Sequence, residues 1–543
     1  MSAAIPKGGL APCSRRVMNL AHFLLQSAKR YPNEIGLAWG EQTWTWSQLN
    51  ARVDAMAAAL SAHGVSKGDR VLVQAKNSNQ LLESMFGCFR LGAVWVPTNF
   101  RLTAEEVAYL ARASGATAMI CGCEFPDHAR AASDAAPALG FTISIGASAF
   151  GADYDALVAE YRGRAVPSAE VERDDPCWLF FTSGTTGRPK AAVLTHGQMG
   201  FVATNHLCDL MPGTTHRDVS LAVAPLSHGA GIHALAQVAR GAKTILLSGD
   251  RFDPEEAWRL VQRWRVNNIF TVPTILKMLT EHPAVDKYDH SSLRYVIYAG
   301  APMYREDQKR ALAKLGNVLV QYFGLGEVTG NITVLPTDLH EAEDGPDARI
   351  GTCGFERTGM QISVQDENGR ELPPSETGEI CVCGLAVFAG YYDNPEANAK
   401  AFRNGWFRTG DLGYLDEQGF LYITGRASDM YISGGSNIYP REIEEKIMTH
   451  PVVAEVAIVG VPDELWGEVG VAVCVLRPGA RLNEHELLAW LAPKVARYKL
   501  PRRVFFWNEL PRSGYGKITK KMIRTELDAR GCLSPGQKTA TQV

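Results

Sequence analysis

The chain has 543 residues, enough for roughly three to four domain-sized units and for a large core that needs no disulfides or metals. Hydrophobic residues make up 46% and charged residues 21%, a globular balance that argues against disorder, a collagen-like fibre or a disulfide scaffold. Lysine and arginine number 55 against 58 acidic residues, a net charge of −3, so no basic surplus draws the chain to nucleic acid or an anionic membrane. The 11 cysteines are scattered, with close pairs only at Cys121/Cys123 and Cys381/Cys383. An odd count in a long chain favours free thiols in a reducing compartment. Met1 to Arg16 lacks an apolar signal core, and no apolar stretch approaches the roughly 18–20 residues that span a bilayer. The expectation is a soluble cytoplasmic protein without a transmembrane segment.

In chain order, Ser47 precedes an apolar stripe of Leu49, Val53, Ala57 and Leu60, with Gly64 as the stop, which predicts a helix. A buried strand is predicted over Arg70–Ala75, and Thr103 with Glu106 forms a capping box for the next helix. Strand-like runs follow at Val219–Pro225, Lys243–Ser248, Ile269–Val272, Leu293–Ala299 and Val318–Phe323, separated by helical patterns such as the one opened by Asp253, Pro254 and Glu256. This alternation predicts layered, parallel α/β structure. After about Gly351 turn signals become dense, as at Asp366–Gly369 and Asp416–Gly419, which predicts a small β-rich subdomain. Beyond Gly425 mixed α and β patterns return, with a helix over Pro440–Met448 and strands near Ala454–Val459 and Val469–Leu476. The predicted organisation is a large N-terminal α/β domain over 1–424, a hinge at 425–429, a small α+β domain over 430–532 and a frayed tail at 533–543.

The strongest local signal is the stretch Leu179-Phe180-Phe181-Thr182-Ser183-Gly184-Thr185-Thr186-Gly187-Arg188-Pro189-Lys190. An apolar strand runs into glycines, which let backbone N–H groups approach phosphate oxygens. Hydroxyls add donors, and Lys190 offsets charge. A solvated turn is the default for a short Ser/Thr/Gly cluster, but here the whole block is ordered for phosphate. It is not a Walker loop, because Ala191 follows Lys190.

This block resembles the phosphate loop of the adenylate-forming enzymes, which include acyl-CoA synthetases, luciferases and peptide-synthetase adenylation domains. Residues 182–190 fit that pattern at every position, and the resemblance extends over about residues 17–525. The resemblance implies roles for further motifs in the expected order. In Ala224-Pro225-Leu226-Ser227-His228-Gly229, His228 would border the carboxylate pocket; His233 reads as structural. Tyr298-Ala299-Gly300-Ala301-Pro302 would contact adenine and acid. In Gln321-Tyr322-Phe323-Gly324-Leu325-Gly326-Glu327, Phe323 would stack on adenine and Glu327 would hold Mg²⁺. The departure is Gly326, where the family usually has a Thr that donates to the α-phosphate. Either the backbone or Thr329 replaces that hydroxyl, or the pocket is reshaped for a bulkier acid. Asp411 would accept both ribose hydroxyls. Arg426 would reach the nucleotide and Ser428 would be the pivot. Gly434 and Gly435 would admit the pantetheine arm of CoA, with Trp466 a further candidate contact that reads equally as packing. Lys517, in Gly514-Tyr515-Gly516-Lys517, matches the family's catalytic lysine.

The implied chemistry is attack of a substrate carboxylate on the α-phosphorus of ATP, release of pyrophosphate, and transfer of the acyl group from acyl-AMP to a thiol. CoA is the expected acceptor, because only 26 residues follow Lys517 and no carrier domain is present. A stand-alone enzyme loading a separate carrier protein, and a non-catalytic nucleotide-binding regulator, are the alternatives. The expected acid contacts are His228, Ile232, Tyr298, Gly300, Gly324, Gly330 and Ile332, with Gly326 and Gly330 making room. They include no Arg or Lys, so a neutral fatty or aryl acid is expected. The family implies a monomer or homodimer.

Overall fold

The computed structural model describes residues 17–147, 150–182, 188–249, 252–301, 303–345, 348–434, 436–512 and 518–532. The described residues form three sheets, of fourteen, seven and five strands. In the largest, strands Ile35–Trp39, Lys243–Leu246, Val219–Ala222, Asn268–Thr271, Tyr295–Tyr298 and Leu319–Phe323 lie side by side and parallel. Parallel neighbours need long crossovers, and the helices Gly229–Arg240, Pro254–Trp264 and Arg305–Leu315 supply them. The seven-stranded sheet is parallel from Ala152–Asp153 through Pro176–Thr182 and ends in the antiparallel strand Lys190–Thr195. One core joins these two sheets, with Trp95 and Trp178 edge to face at 4.5 Å.

The expected β-rich region after Gly351 is hydrogen-bonded into the large sheet rather than set apart from it. Strand Leu319–Phe323 pairs antiparallel with Thr333–Leu335, which pairs with Thr352–Glu356, and the strands to Phe420–Arg426 extend the same sheet. The change of texture is therefore the switch from parallel, doubly covered strands to antiparallel ones joined by tight turns. The C-terminal sheet pairs Val453–Asp463 with Gly467–Leu476 and is covered by helices Pro440–Met448, Glu484–Leu491 and Lys520–Ala529. Tyr304 packs against its core, and Lys277 Nζ donates to the carbonyl of Ala454 at 3.2 Å across the seam with the larger part of the chain.

Most predicted elements stand within two or three residues of their predicted bounds. Helix Trp46–Ala62 is capped by Thr45, in a capping box with Gln48, and not by Ser47. The Thr103/Glu106 capping box forms as read, and Asp253 caps Pro254–Trp264. Every cysteine among the described residues is a free thiol. No helix among them is long and apolar enough to cross a membrane.

Burial makes one stability prediction. His196, His233 and His340 are buried, and desolvation pushes each down to about 4. An unfolded histidine titrates near about 6.5. Below that pH the unfolded chain takes up protons that the folded chain refuses, so stability present above about pH 6.5 is lost as pH falls toward 4. The urea midpoint should be clearly lower at about pH 5 than at about pH 7.5. An unchanged midpoint would show that these rings are not held neutral.

Candidate active site

The parallel strands all end on one rim, where α/β sheets hold ligands. Strand Pro176–Thr182 pairs with Lys190–Thr195 so that Thr182 and Lys190 face each other in register. The expected phosphate-loop residues between them, Ser183, Gly184, Thr185, Thr186 and Gly187, lie outside the described residues, as do Pro302, Gly435 and Lys517. Thr182 Oγ1 donates to Glu327 Oε1 at 2.8 Å, and the Tyr391 hydroxyl donates to the same oxygen at 3.0 Å. Burial, reinforced by the Glu327 carboxylate, pushes the Tyr391 phenol far up, so it stays a donor. The ammonium of Lys190 lies 4.7 Å from the centre of the Tyr391 ring, a cation–π contact.

Glu327 is 5% exposed and sits in a single 3₁₀ turn, Gly326–Val328, just past strand Leu319–Phe323. Both hydrogen bonds fall on Oε1, which leaves Oε2 for another partner. A lone carboxylate beside a hydroxyl, with no cluster of three His, Cys, Asp or Glu among the described residues, is not an all-protein metal cage. It suits Mg²⁺, which takes one or two carboxylates and completes its shell with substrate phosphates and water. Tyr391 escaped the sequence reading; its signal was an aromatic pair, Tyr391-Tyr392, behind Gly390 in a run that borders the Lys190 strand through the Val193–Gly390 and Tyr392–Ala191 backbone bonds.

The space beside Gly326 is filled. A Cβ on Gly326 would lie 2.7 Å from Phe180 Cε1 and 2.8 Å from Thr182 Cγ2. The Phe180 ring stands edge-on to His228 with centroids 5.4 Å apart. Thr329 does not supply the missing hydroxyl, because its Oγ1 is spent on the Val328 carbonyl at 2.6 Å. His228 caps helix Gly229–Arg240 through its backbone position and pairs its Nδ1 with Ser227 Oγ at 3.0 Å.

The expected acid contacts divide. His228, Gly324 and Gly300 keep solvent contact, and Gly300, at φ +83°, makes an open left-handed turn beside exposed Ala301. Tyr298 does not line the cleft. It is fully buried against the core around Trp258, and its hydroxyl bonds with Gln321, His340 and Gln308. Ile232 and Ile332 are core residues. Gly330 makes no room either: a Cβ there would be 2.3 Å from Tyr322 Cε2, and one on Gly324 would be 2.5 Å from the Gly330 backbone. Those glycines let three backbone and ring layers close-pack. Arg357, buried behind Tyr322 beside His206 and Asp209, is a cation that the sequence reading missed.

In the antiparallel part of the large sheet, Asp411 and Arg426 face each other in register, with Arg426 Nε donating to Asp411 Oδ1 at 3.0 Å. Asp411 is nearly buried whereas Arg426 is half exposed, so the carboxylate is fixed and the guanidinium reaches outward. Phe323 is half-buried at the end of its strand. Ser428 is exposed, its hydroxyl 3.4 Å from Asp429 Oδ1. In the C-terminal sheet Gly434, at φ +56°, lies under the Trp466 ring, where a Cβ would be 2.7 Å from Trp466 Cε3, and its N–H bonds to the Trp466 carbonyl at 2.9 Å. The two candidate CoA contacts thus form one surface, with the indole half exposed.

A buried carboxylate held by Thr182 at the head of the glycine-rich segment, together with a paired Asp411 and Arg426, is a residue set suited to a nucleotide's phosphates and sugar. Comparison with known proteins gives the class its name. The AMP-binding enzyme profile matches residues 24–392 and the AMP-binding enzyme C-terminal domain profile matches residues 442–517. The chain is 37% identical to a feruloyl-CoA synthase from an Amycolatopsis species over 94% of this chain and 99% of that one. It is 36% identical to the long-chain-fatty-acid–CoA ligase FadD13 of Mycobacterium tuberculosis over 89% of this chain and 93% of that one. Among solved structures, the o-succinylbenzoate CoA synthetase of Bacillus subtilis bound to its acyl-adenylate intermediate superposes with a TM-score of 0.81 at 30% identity, covering 92% of this chain and 97% of that one. The chain belongs to the AMP-binding enzyme family, on the acyl-CoA ligase branch. Its chemistry is that of an AMP-forming acid–thiol ligase, which activates an acid with ATP as acyl-AMP and passes the acyl group to CoA.

Proposed function

We propose that this enzyme activates a neutral aryl or fatty acid, with the residue roles set out below. The observation that carries the reading is the convergence of Thr182 and Tyr391 on one oxygen of Glu327, which fixes a buried anion beside the phosphate loop. When bound there, Mg²⁺ offsets charge on the phosphates. Glu327 Oε2 is the ligand this chain offers it. Thr182 and Lys190, at the two ends of the loop over 183–187, bracket the pyrophosphate. Asp411 accepts from the ribose hydroxyls, and Arg426 reaches back to the nucleotide. His228 and Phe180 flank the acid's carboxylate as it attacks the α-phosphorus. Lys517 stabilises the charge developing between carboxylate and phosphate. Residues 430–532 then turn about 425–429, with Ser428 as pivot. This withdraws Lys517 and brings Gly434, Gly435 and Trp466 to the thioester step. We place the enzyme in the cytoplasm, as a monomer or homodimer.

The acid class rests on the absence of Arg or Lys among the solvent-contacting candidates and on the acids for which the feruloyl and long-chain relatives are named. A carrier-protein acceptor is the second reading, favoured by the 33% identity to a ligase of Streptomyces coeruleorubidus named for fatty acid and acyl carrier protein. ATP–pyrophosphate exchange against a panel of acids tests the first point. Exchange is expected with cinnamates, benzoates or medium-chain fatty acids and not with malonate. Preference for a dicarboxylic acid would overturn the acid class. Acyl transfer to a carrier protein and not to CoA would decide for the second reading.

A further inference from the structure

Gly326 occupies a place where nothing in the backbone forbids a side chain. Its φ lies outside the left-handed region, and it belongs to a 3₁₀ turn that any residue adopts. The obstacle is Phe180 together with the Thr182 methyl. Strand Pro176–Thr182 points alternate side chains to one face, so Trp178, Phe180 and Thr182 line up. On that face Trp178 and Phe180 pack tilted, with centroids 5.8 Å apart, and Phe180 meets His228 edge-on at 75°. Phe180 is half-buried, so it keeps solvent contact, as His228 does.

We propose that Phe180 is a specificity-determining residue of the acid site and that Gly326 is glycine in order to admit it. The inference rests on the adenylation reading and deepens it. The ring stands where a residue-326 side chain would point and also touches His228. The wall next to the reacting carboxyl is therefore an aromatic edge and not a hydroxyl. Such a wall passes a carboxyl group whose α-carbon is trigonal and coplanar with it, as in aryl and α,β-unsaturated acids. A tetrahedral α-carbon projects hydrogens or branches out of that plane and into the ring.

The test compares wild type, F180A, G326T and the F180A/G326T double variant in ATP–pyrophosphate exchange. The probes are cinnamate and benzoate against 3-phenylpropanoate and 2-methyl-3-phenylpropanoate. Wild type should prefer the planar acids, and F180A should shrink that preference by about tenfold or more. G326T should lose about tenfold or more with every acid, and the double variant should recover part of that loss, the Thr182 methyl remaining in place. An F180A enzyme with an unchanged planar-to-tetrahedral ratio would overturn the specificity role. A G326T enzyme as active as wild type, or a double variant no better than G326T, would overturn the pairing. Thermal unfolding of the four proteins gives a readout independent of chemistry: G326T should melt lower and F180A should relieve it, and additive shifts would contradict the contact. If wild type exchanges with no acid at all, the adenylation reading itself fails, while the melting cycle still decides the pairing.

Discussion

Replacing Lys517 with Ala is expected to slow acyl-AMP formation by about 10²–10³-fold, the loss typical of removing one preorganised donor from a transition state. Thioester formation from supplied acyl-AMP and CoA should stay within about threefold of wild type. The two halves separate because of where the lysine is tethered. It follows strand Arg503–Trp507, itself part of the five-stranded C-terminal sheet, and precedes helix Lys520–Ala529, which packs on that sheet. Among the described residues, the chain through 425–429 is the only covalent link between that sheet and the nucleotide rim. The polar seam between them includes the Lys277–Ala454 bond and the partly exposed Glu281–Arg477 pair at 3.8 Å. An exposed pair of this kind contributes about 1 kcal/mol or less, so it does not lock the sheet in place. Separate exchange and thioester assays measure the two halves, and equal losses in both would contradict a lysine that serves adenylation alone.

The fold was readable where the sequence carries a strong period. Parallel strands buried on both faces appear as short apolar runs, and the capping residues Thr103 and Asp253 announce their helices. What pairs with what was not readable. The texture change after Gly351 looks like a new unit, yet backbone bonds from Thr333–Leu335 carry the same sheet onward, because strand pairing leaves no local mark. The site divides in the same way. Motif residues such as Thr182, Glu327, Asp411 and Arg426 fall into paired positions. Glycines are ambiguous in sequence, since a missing side chain signals either open space or close packing, and only the neighbour tells which. Phe180 closes over Gly326 and Tyr322 over Gly330. Tyr298 looked like a cleft residue from its place at a strand end, but the strand's alternation turns it into the core.

Changing Glu327 to Gln should lower adenylation by about 10²–10³-fold and raise the Mg²⁺ concentration needed for half-maximal rate by about tenfold or more. The amide keeps the side chain's shape, and its oxygen still accepts from Thr182 and Tyr391, so the variant should melt close to wild type. What it removes is the buried negative charge. Glu327→Ala is a different experiment: it leaves the Thr182 and Tyr391 hydroxyls without their acceptor, and an unsatisfied buried donor costs about 1–3 kcal/mol, so stability should fall as well. Tyr391→Phe removes one donor and leaves the charge in place. Its expected cost is about 1 kcal/mol, or about fivefold in rate, with little change in Mg²⁺ dependence. The three variants thus separate charge from scaffolding at a single oxygen. A Gln variant with a normal Mg²⁺ response would remove Glu327 from the metal site. A Tyr391→Phe enzyme as impaired as Glu327→Gln would mean that the hydrogen-bond frame, and not the charge, sets the rate.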